Sequence, residues 1–177
     1  MSALALALGL AVAGTPGNAS TEQTPAPRHR LSLYLTSGAM AYLSDAQTIG
    51  GLGGGLGLRD TLDGRFILQA DINYLGYIRN AAALRVSAGA QLRGPYAPAA
   101  LLTLTTLMGE RLSFLTPEHP TRITGPAMSV GLTLAPIRFD LPQVQFSMLQ
   151  LGVGVGSDLP GLGLSYSLGL LEVGATF

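Results

Sequence analysis

The sequence predicts an all-β protein, an eight-stranded antiparallel up-and-down transmembrane β-barrel preceded by a cleavable signal peptide. Three observations predict it. After Arg30, apolar residues recur at every second position, which is the period of a β-strand. Of the 177 residues, 47% are hydrophobic and only 11% are charged, against about 25% charged in a typical soluble domain. Short stretches with Gly, Pro or Asp-Gly separate the alternating segments, as turns do.

The first 19 residues are predicted to be the signal peptide. An apolar run over residues 3–13 is followed by the breakers Gly14 and Pro16, and small residues allow cleavage after Ala13 or Ala19. The run is shorter than the roughly 20 residues that a membrane-spanning helix needs. No Lys or Arg precedes the run, and a buried N-terminal helix is the alternative.

The segment after the signal is polar and contains Pro, which predicts a disordered lead-in over residues 20–29. The transmembrane barrel is then expected to occupy residues 30–177.

Eight alternating segments follow in order and are the predicted strands. They cover about residues 31–44, 48–60, 66–75, 82–93, 100–109, 128–134, 149–156 and 162–177.

The first four segments form two predicted hairpins. The first has a face of leucine and alanine, and the second alternates leucine with a row of glycines. The sequence "TLDGR" after the second segment supplies an Asp-Gly tight turn. The third and fourth segments, which begin near Phe66 and Ala82, have apolar residues on one face and polar residues on the other, and a short turn near Asn80 joins them.

The last four segments complete the barrel. The fifth and sixth flank the longest irregular stretch, residues 109–126. The sequence "APIRFDLPQ" is expected to turn the chain before the seventh segment, and "SDLPG" before the eighth. The alternation of the eighth segment changes phase near Leu170 and Leu171, which predicts a β-bulge.

Composition predicts which face of the strands points outward. A soluble lipocalin-like barrel would bury its apolar face and expose a charged one. Here the less apolar faces are built of Gly, Ser, Thr, Ala and Gln, and the chain contains no lysine. Small polar residues suit the interior of a narrow eight-stranded barrel, so the apolar face is expected to contact lipid.

The few charged residues in the strands are predicted to form a lumen charge network. Asp71 and Arg85 share the inward face of neighbouring strands, opposite or diagonal to one another. Arg93 and Glu172 are expected to join them from adjacent strands. Charges inside a barrel must be paired, because a lone buried charge is costly.

The longest connection is the predicted contact loop. It is the third odd-numbered connection, and odd connections face the outside of an outer-membrane-type barrel. Function concentrates on loops held by a rigid scaffold. The candidate contact residues are Glu110, Phe114, Glu118, His119 and Arg122.

Several kinds of site are not expected. Ten basic residues balance ten acidic ones without a basic patch, so nucleic acid is not an expected partner. The chain has no Cys, and its His and carboxylate residues lack metal-ligand spacing, so no metal or cofactor is predicted. The glycine runs lack Gly-Lys-Ser/Thr and a following helix, which argues against a nucleotide site.

The last strand, "GLLEVGATF", resembles the C-terminal signal of bacterial outer-membrane β-barrels. In that group the barrel-insertion machinery recognises an aromatic last residue with apolar residues at alternate positions before it, and Leu171, Val173, Ala175 and Phe177 match this spacing. The mature chain resembles the small eight-stranded barrels, namely the OmpA-type transmembrane domain and its OmpX-like and OmpW-like relatives. The resemblance implies a place in the outer membrane of a Gram-negative envelope. It implies outer-membrane lipid and the insertion machinery as partners.

The expected function is structural or interactive: anchoring the envelope or docking an envelope protein partner. One alternative is a narrow, porin-like pore or a conduit for small or hydrophobic solutes, with Ile67, Leu75 and Leu107 facing the path. A second alternative is a lipid A acyltransferase or deacylase. Such an enzyme needs Ser, His and an acid near the outer rim, and the chain has only His29 and His119. No enzyme is predicted.

Overall fold

The computed structural model describes residues 28–44, 47–76, 80–113, 126–158 and 161–177, with the backbone alone described at three of these positions. The predicted signal peptide and nearly all of the predicted lead-in fall outside these ranges. Within them, no helix is long enough and apolar enough to cross a membrane.

The described chain forms eight long strands and two short ones. The long strands are β1 (His29–Ser44), β2 (Gln47–Leu62), β3 (Phe66–Leu75), β4 (Ala81–Gln91), β5 (Ala99–Gly109), β7 (Ala127–Ala135), β9 (Val144–Ser157) and β10 (Leu162–Thr176). The short strands are β6 (Leu112–Ser113) and β8 (Ile137–Asp140).

The long strands close into an antiparallel barrel. Each pairs with the long strand that follows it, and the first strand also pairs with the last, since β1 contacts both β2 and β10. The short β6 pairs with β2 and the short β8 pairs with β9. The predicted all-β, eight-stranded up-and-down barrel is confirmed.

The strands are strongly staggered around the barrel. A path that starts at Gln47 of β2 and steps from each residue to its partner on the next strand goes once around the barrel, through Arg85 and Asp71. It returns to β2 at Gly57, so the stagger around the barrel is ten residues. Such a stagger requires tilted strands, and with eight strands the interior is only wide enough for side chains to fill.

The exterior of the barrel is apolar, as the sequence predicts. Every long strand carries exposed large apolar side chains, for example Leu102, which is 62% exposed, and Val155, which is 65% exposed. Most of the buried positions between them are polar or small, such as Thr103 and Ser129, and a smaller number are large and apolar. This arrangement contradicts a soluble lipocalin-like carrier, because that barrel would gather its leucines inside.

The two ends of the barrel differ. Short turns at residues 63–65, 92–98 and 141–143 lie at the end that also holds the start of β1 and the end of β10. The connection from β5 to β7, the longest one, lies at the opposite end. In outer-membrane barrels the end with the termini is periplasmic and the end with the longest loops is extracellular, and the two ends are named so below.

Two strand boundaries differ from the prediction. The sequence "APIRFDLPQ", expected as a turn, contains β8, and β9 begins at Val144 rather than Leu149. Pro136 has no N–H and interrupts the ladder for one residue only, after which the alternation resumes. At the other position, β4 ends at Gln91 and not at Arg93, because Gly94, with φ of 121°, and Pro95 begin the turn.

The predicted bulge in the last strand is confirmed. The register between β1 and β10 shifts between Ser37 and Gly38, which leaves Leu170 without a partner across from β1. Before the bulge the odd-numbered residues of β10 face the lumen, and after it the even-numbered ones do. Glu172 therefore faces the lumen and Leu171 faces outward.

Candidate functional site: the charged lumen

The extracellular half of the lumen is filled by apolar side chains. This upper apolar layer, from six different strands, consists of Met40, Tyr42, Ile49, Leu75, Ala81, Ala83, Leu107 and Ala127, all buried. Beside it a cavity of about 20 Å³ lies against Met40, Leu107 and Gly152, among others. That volume holds about one water molecule, so this part of the lumen is packed.

Asp71 and Arg85 form the centre of the lumen. They lie directly opposite each other in the β3–β4 register, and the Arg85 Nε donates to Asp71 Oδ1 at 2.7 Å. Both side chains are buried, at 0% and 5% exposure. The Tyr34 hydroxyl and the Asn73 amide also donate to the Asp71 carboxylate, at 2.9 and 2.5 Å. The carboxylate therefore accepts from three donors, as a buried charge requires.

A second ion pair joins two strands that do not touch. Arg59 on β2 contacts Glu172 on β10, with Nη2 and Oε1 2.5 Å apart and both side chains at most 3% exposed. The Arg59 Nε donates to Gln69 and its Nη1 donates to Gln145, at 2.9 and 3.0 Å. Gln150 donates to the second oxygen of Glu172 at 2.8 Å. Side-chain amides thus hold both charges in place.

Tyr34 connects the two ion pairs. It lies on β1, between the strands of Arg59 and Glu172, and the Arg59 Cζ stacks 4.5 Å from the centre of its ring. Arg59 crosses this ring to reach Glu172, and the ring hydroxyl bonds Asp71. The stacked arginine, the tyrosine and the two ion pairs form one continuous polar layer across the barrel. We call this set, Tyr34, Arg59, Asp71, Arg85 and Glu172, the charged layer.

The polar interior continues toward the periplasmic end. Asp140 of β8 pairs with Arg30 at 3.1 Å and accepts from Gln91 and Gln145 at 3.0 and 3.1 Å. Arg138, two residues earlier on the same strand, is 1% exposed. Because β8 was expected to be a turn, the sequence did not place either charge in the lumen.

The predicted network is corrected at one position. The structure brings Asp71 and Arg85 together and buries Glu172, but Arg93 is exposed in the turn after β4. Arg59 takes the place that the sequence assigned to Arg93. The signal for Arg59 was present, since it continues the inward parity of the β2 glycines at 53, 55 and 57.

The residues of the predicted barrel-insertion signal all face outward. Leu171 and Val173 are 41% and 42% exposed, and Phe177 is 80% exposed at the periplasmic end. Ala175 is exposed as well. Their recognition by insertion machinery stays a prediction.

The candidate contact loop is described only at its start. Glu110 is exposed at the extracellular end, whereas Phe114, Glu118, His119 and Arg122 lie outside the described residues. His29, which the sequence placed in the lead-in, is the first residue of β1 and contacts Asp60 at 2.8 Å near the periplasmic end. In the described ranges, no group of three or more His, Asp or Glu side chains could hold a metal ion.

The chain is similar to several solved structures. No family model and no curated protein matches the chain. The crystal structure of Neisserial surface protein A matches with a TM-score of 0.51 and 11% identity, over 83% of this chain and 97% of that one. Ail of Yersinia pestis matches at 0.45 and 16% identity, over 84% and 98% of the two chains. The N-terminal β-barrel domain of Pseudomonas aeruginosa OprF matches at 0.43 and 12%, over 85% and 99%.

The fold and the exterior point to the same environment. A closed barrel leaves no unpaired strand edge among its long strands, and its apolar surface belongs in hydrocarbon, which places it in a bacterial outer membrane. The chain is a small eight-stranded β-barrel of the outer-membrane type, with a lipid-facing exterior and a filled, charged lumen.

Proposed function

We propose that the protein is a structural and docking barrel of the outer membrane. It anchors or stabilises the envelope and holds an envelope protein partner through its extracellular connections. The observation that carries this proposal is the charged layer, in which the two arginines and the two carboxylates neutralise each other and each of the five residues is at most 4% exposed. A barrel whose interior is filled across its middle is suited to bind a partner through the loops at its rim and not to conduct ions or solutes.

The alternative of a pore or conduit is weakened by the position of its predicted lining. Leu75 and Leu107 belong to the upper apolar layer, but Ile67 belongs to a separate cluster with Ala99 and Leu101 nearer the periplasmic end. On β3, Asp71 lies between Ile67 and Leu75, so a hydrophobic solute would have to cross the ion pairs. Desolvating or separating such a pair is costly.

Conductance in planar lipid bilayers tests the filled lumen. The wild-type protein is expected to give no steps that scale with KCl concentration, while a larger general porin in the same bilayers does. The Arg59→Ala/Arg85→Ala variant removes the two largest side chains of the layer and is expected to conduct. Salt-dependent steps from the folded wild-type protein would overturn the proposal.

A second experiment tests the docking role. Cells that lack the protein are expected to leak a periplasmic reporter enzyme, and the wild-type chain should restore retention. Deletion of residues 114–123 leaves β6 in place and should keep the barrel SDS-resistant until boiling, but it should abolish partner cross-linking from the extracellular side. Unchanged cross-linking would show that this loop is not the contact. An altered lipid A mass that is lost in His119→Ala would support the enzyme instead.

A further inference from the structure

The extracellular mouth of the barrel is crossed by its own chain. After β5 ends at Gly109, the chain passes the ends of β4 and β3 and pairs Leu112 with Thr48 of β2. This crossing, residues 110–113, is called the strap below. This pairing is possible because β3 stops opposite Gly53, several residues short of Gln47, where β2 begins at the extracellular end.

The strap is tied to the far side of the mouth by a buried ion pair. The Arg111 Nη1 lies 2.6 Å from Asp158 Oδ2, and the two side chains are 4% and 5% exposed. Asp158 follows β9, and the Ser44 hydroxyl at the end of β1 donates to the same carboxylate oxygen at 2.5 Å. Leu112 pairs with β2 on the side away from β1, so the Arg111 side chain must cross the mouth to reach this carboxylate.

Directly beneath lies the upper apolar layer. Tyr42 lies near the end of β1, Ile49 lies near the start of β2, and Leu107 precedes the strap on β5. Each of the three is 1% exposed. Apolar side chains at the end of a barrel that opens to water would otherwise be wetted, at a cost proportional to the area exposed.

We propose that the strap is a closure of the lumen, held shut by the Arg111–Asp158 ion pair, and that breaking this pair admits water to the upper apolar layer. The charged layer below forms a separate barrier, so opening the strap exposes the upper half of the lumen and not the lower half. The closure acts on the mouth alone and does not depend on whether the barrel docks a partner.

The absence of Cys in the chain permits a direct test by thiol labelling. Leu107→Cys places a single thiol in the upper apolar layer. Leu101→Cys places one on the same strand but in the lower cluster, where Leu101 is 2% exposed. A small, charged, membrane-impermeant thiol reagent is added to intact cells, and labelling rates are measured for each thiol with and without Asp158→Asn.

With the ion pair intact, both thiols are expected to label slowly. Asp158→Asn should raise the rate at position 107 at least about tenfold, since it removes the negative charge that draws Arg111 across the mouth, and should leave position 101 unchanged. The charge-swapped Arg111→Asp/Asp158→Arg variant should restore slow labelling at position 107. SDS resistance before boiling verifies that every variant is folded. Fast labelling of position 107 with the pair intact, or no acceleration by Asp158→Asn in folded protein, would overturn the proposal.

Discussion

Gly57 and Tyr34 share one space inside the barrel. A Cβ on Gly57 would lie 2.5 Å from the Tyr34 Cζ, 2.6 Å from its hydroxyl oxygen and 2.7 Å from the Asp71 Cβ. All three distances are shorter than real carbon contacts, so the missing side chain of Gly57 is what lets the Tyr34 ring lie between Arg59 and Asp71. Gly57 is thereby a condition for the charged layer, because the lumen is too narrow for both a side chain at position 57 and the Tyr34 ring.

Gly57→Ala is expected to destabilise the barrel by about 1–3 kcal/mol, the usual range for an added methyl group in a packed interior. The urea midpoint of the protein in lipid vesicles measures this loss. Tyr34→Ala supplies the control, since removing the ring should make the same Gly57→Ala change less costly. Equal costs in the two backgrounds would show that the ring and the glycine do not compete for space.

For the buried Asp71–Arg85 pair, removing one partner should destabilise the barrel more than removing both. Arg85→Met leaves Asp71 buried with its charge unpaired and is expected to lower the free energy of unfolding by about 3–5 kcal/mol. Asp71→Leu combined with Arg85→Met should recover more than half of this loss, because no isolated charge remains. The comparison uses urea unfolding of both variants in the same vesicles. A double variant as unstable as Arg85→Met would mean that the hydrogen bonds of Tyr34 and Asn73 to Asp71, and not the ionic pairing, dominate.

The strands and their orientation could be predicted because both depend on local pattern. The period of two persists through β1, β3 and β5 and up to the bulge in β10. The less apolar faces carry too few charges to face water, which leaves only one environment for the leucines. The prediction is wrong at β8, because the two prolines in "APIRFDLPQ" resemble a turn. The ladder tolerates Pro136 because a single missing N–H between β7 and β8 leaves the pairing of each with β9 intact.

The partners inside the lumen could be predicted only for neighbouring strands. Asp71 and Arg85 are joined by one short hairpin, so their sequence positions fix their register. Arg59 and Glu172 lie on strands separated by β1, and their contact depends on the stagger of the whole barrel and on the Tyr34 ring between them. No local pattern encodes that relationship.

Arg59 lies in the lumen network and the predicted Arg93 does not, so alanine variants of these two arginines form a matched pair. Arg59→Ala removes the cation in direct contact with the buried Glu172 and is expected to cost about 3–5 kcal/mol of unfolding free energy. Arg93 is exposed in a turn, so Arg93→Ala should change stability by no more than about 0.5 kcal/mol. Both are measured from urea midpoints in vesicles, with SDS resistance as a check on folding. Comparable losses from the two would restore Arg93 to the network.

On the lipid-facing surface, the stability cost of introducing a charge is expected to depend on its depth in the membrane and not on how exposed the replaced residue is. Leu102 in the middle of β5 and Leu92 just after β4 are almost equally exposed, at 62% and 63%. Leu102→Arg would place a charge in the hydrocarbon and is expected to cost about 2–4 kcal/mol, while Leu92→Arg at the periplasmic rim should cost at most about 1 kcal/mol. Urea unfolding in vesicles gives both values, and in detergent micelles, where the charge can reach water more readily, the gap should narrow. Equal costs in vesicles would mean that Leu102 does not face the bilayer interior, because a charge at the rim and one at mid-depth differ only when hydrocarbon surrounds the second.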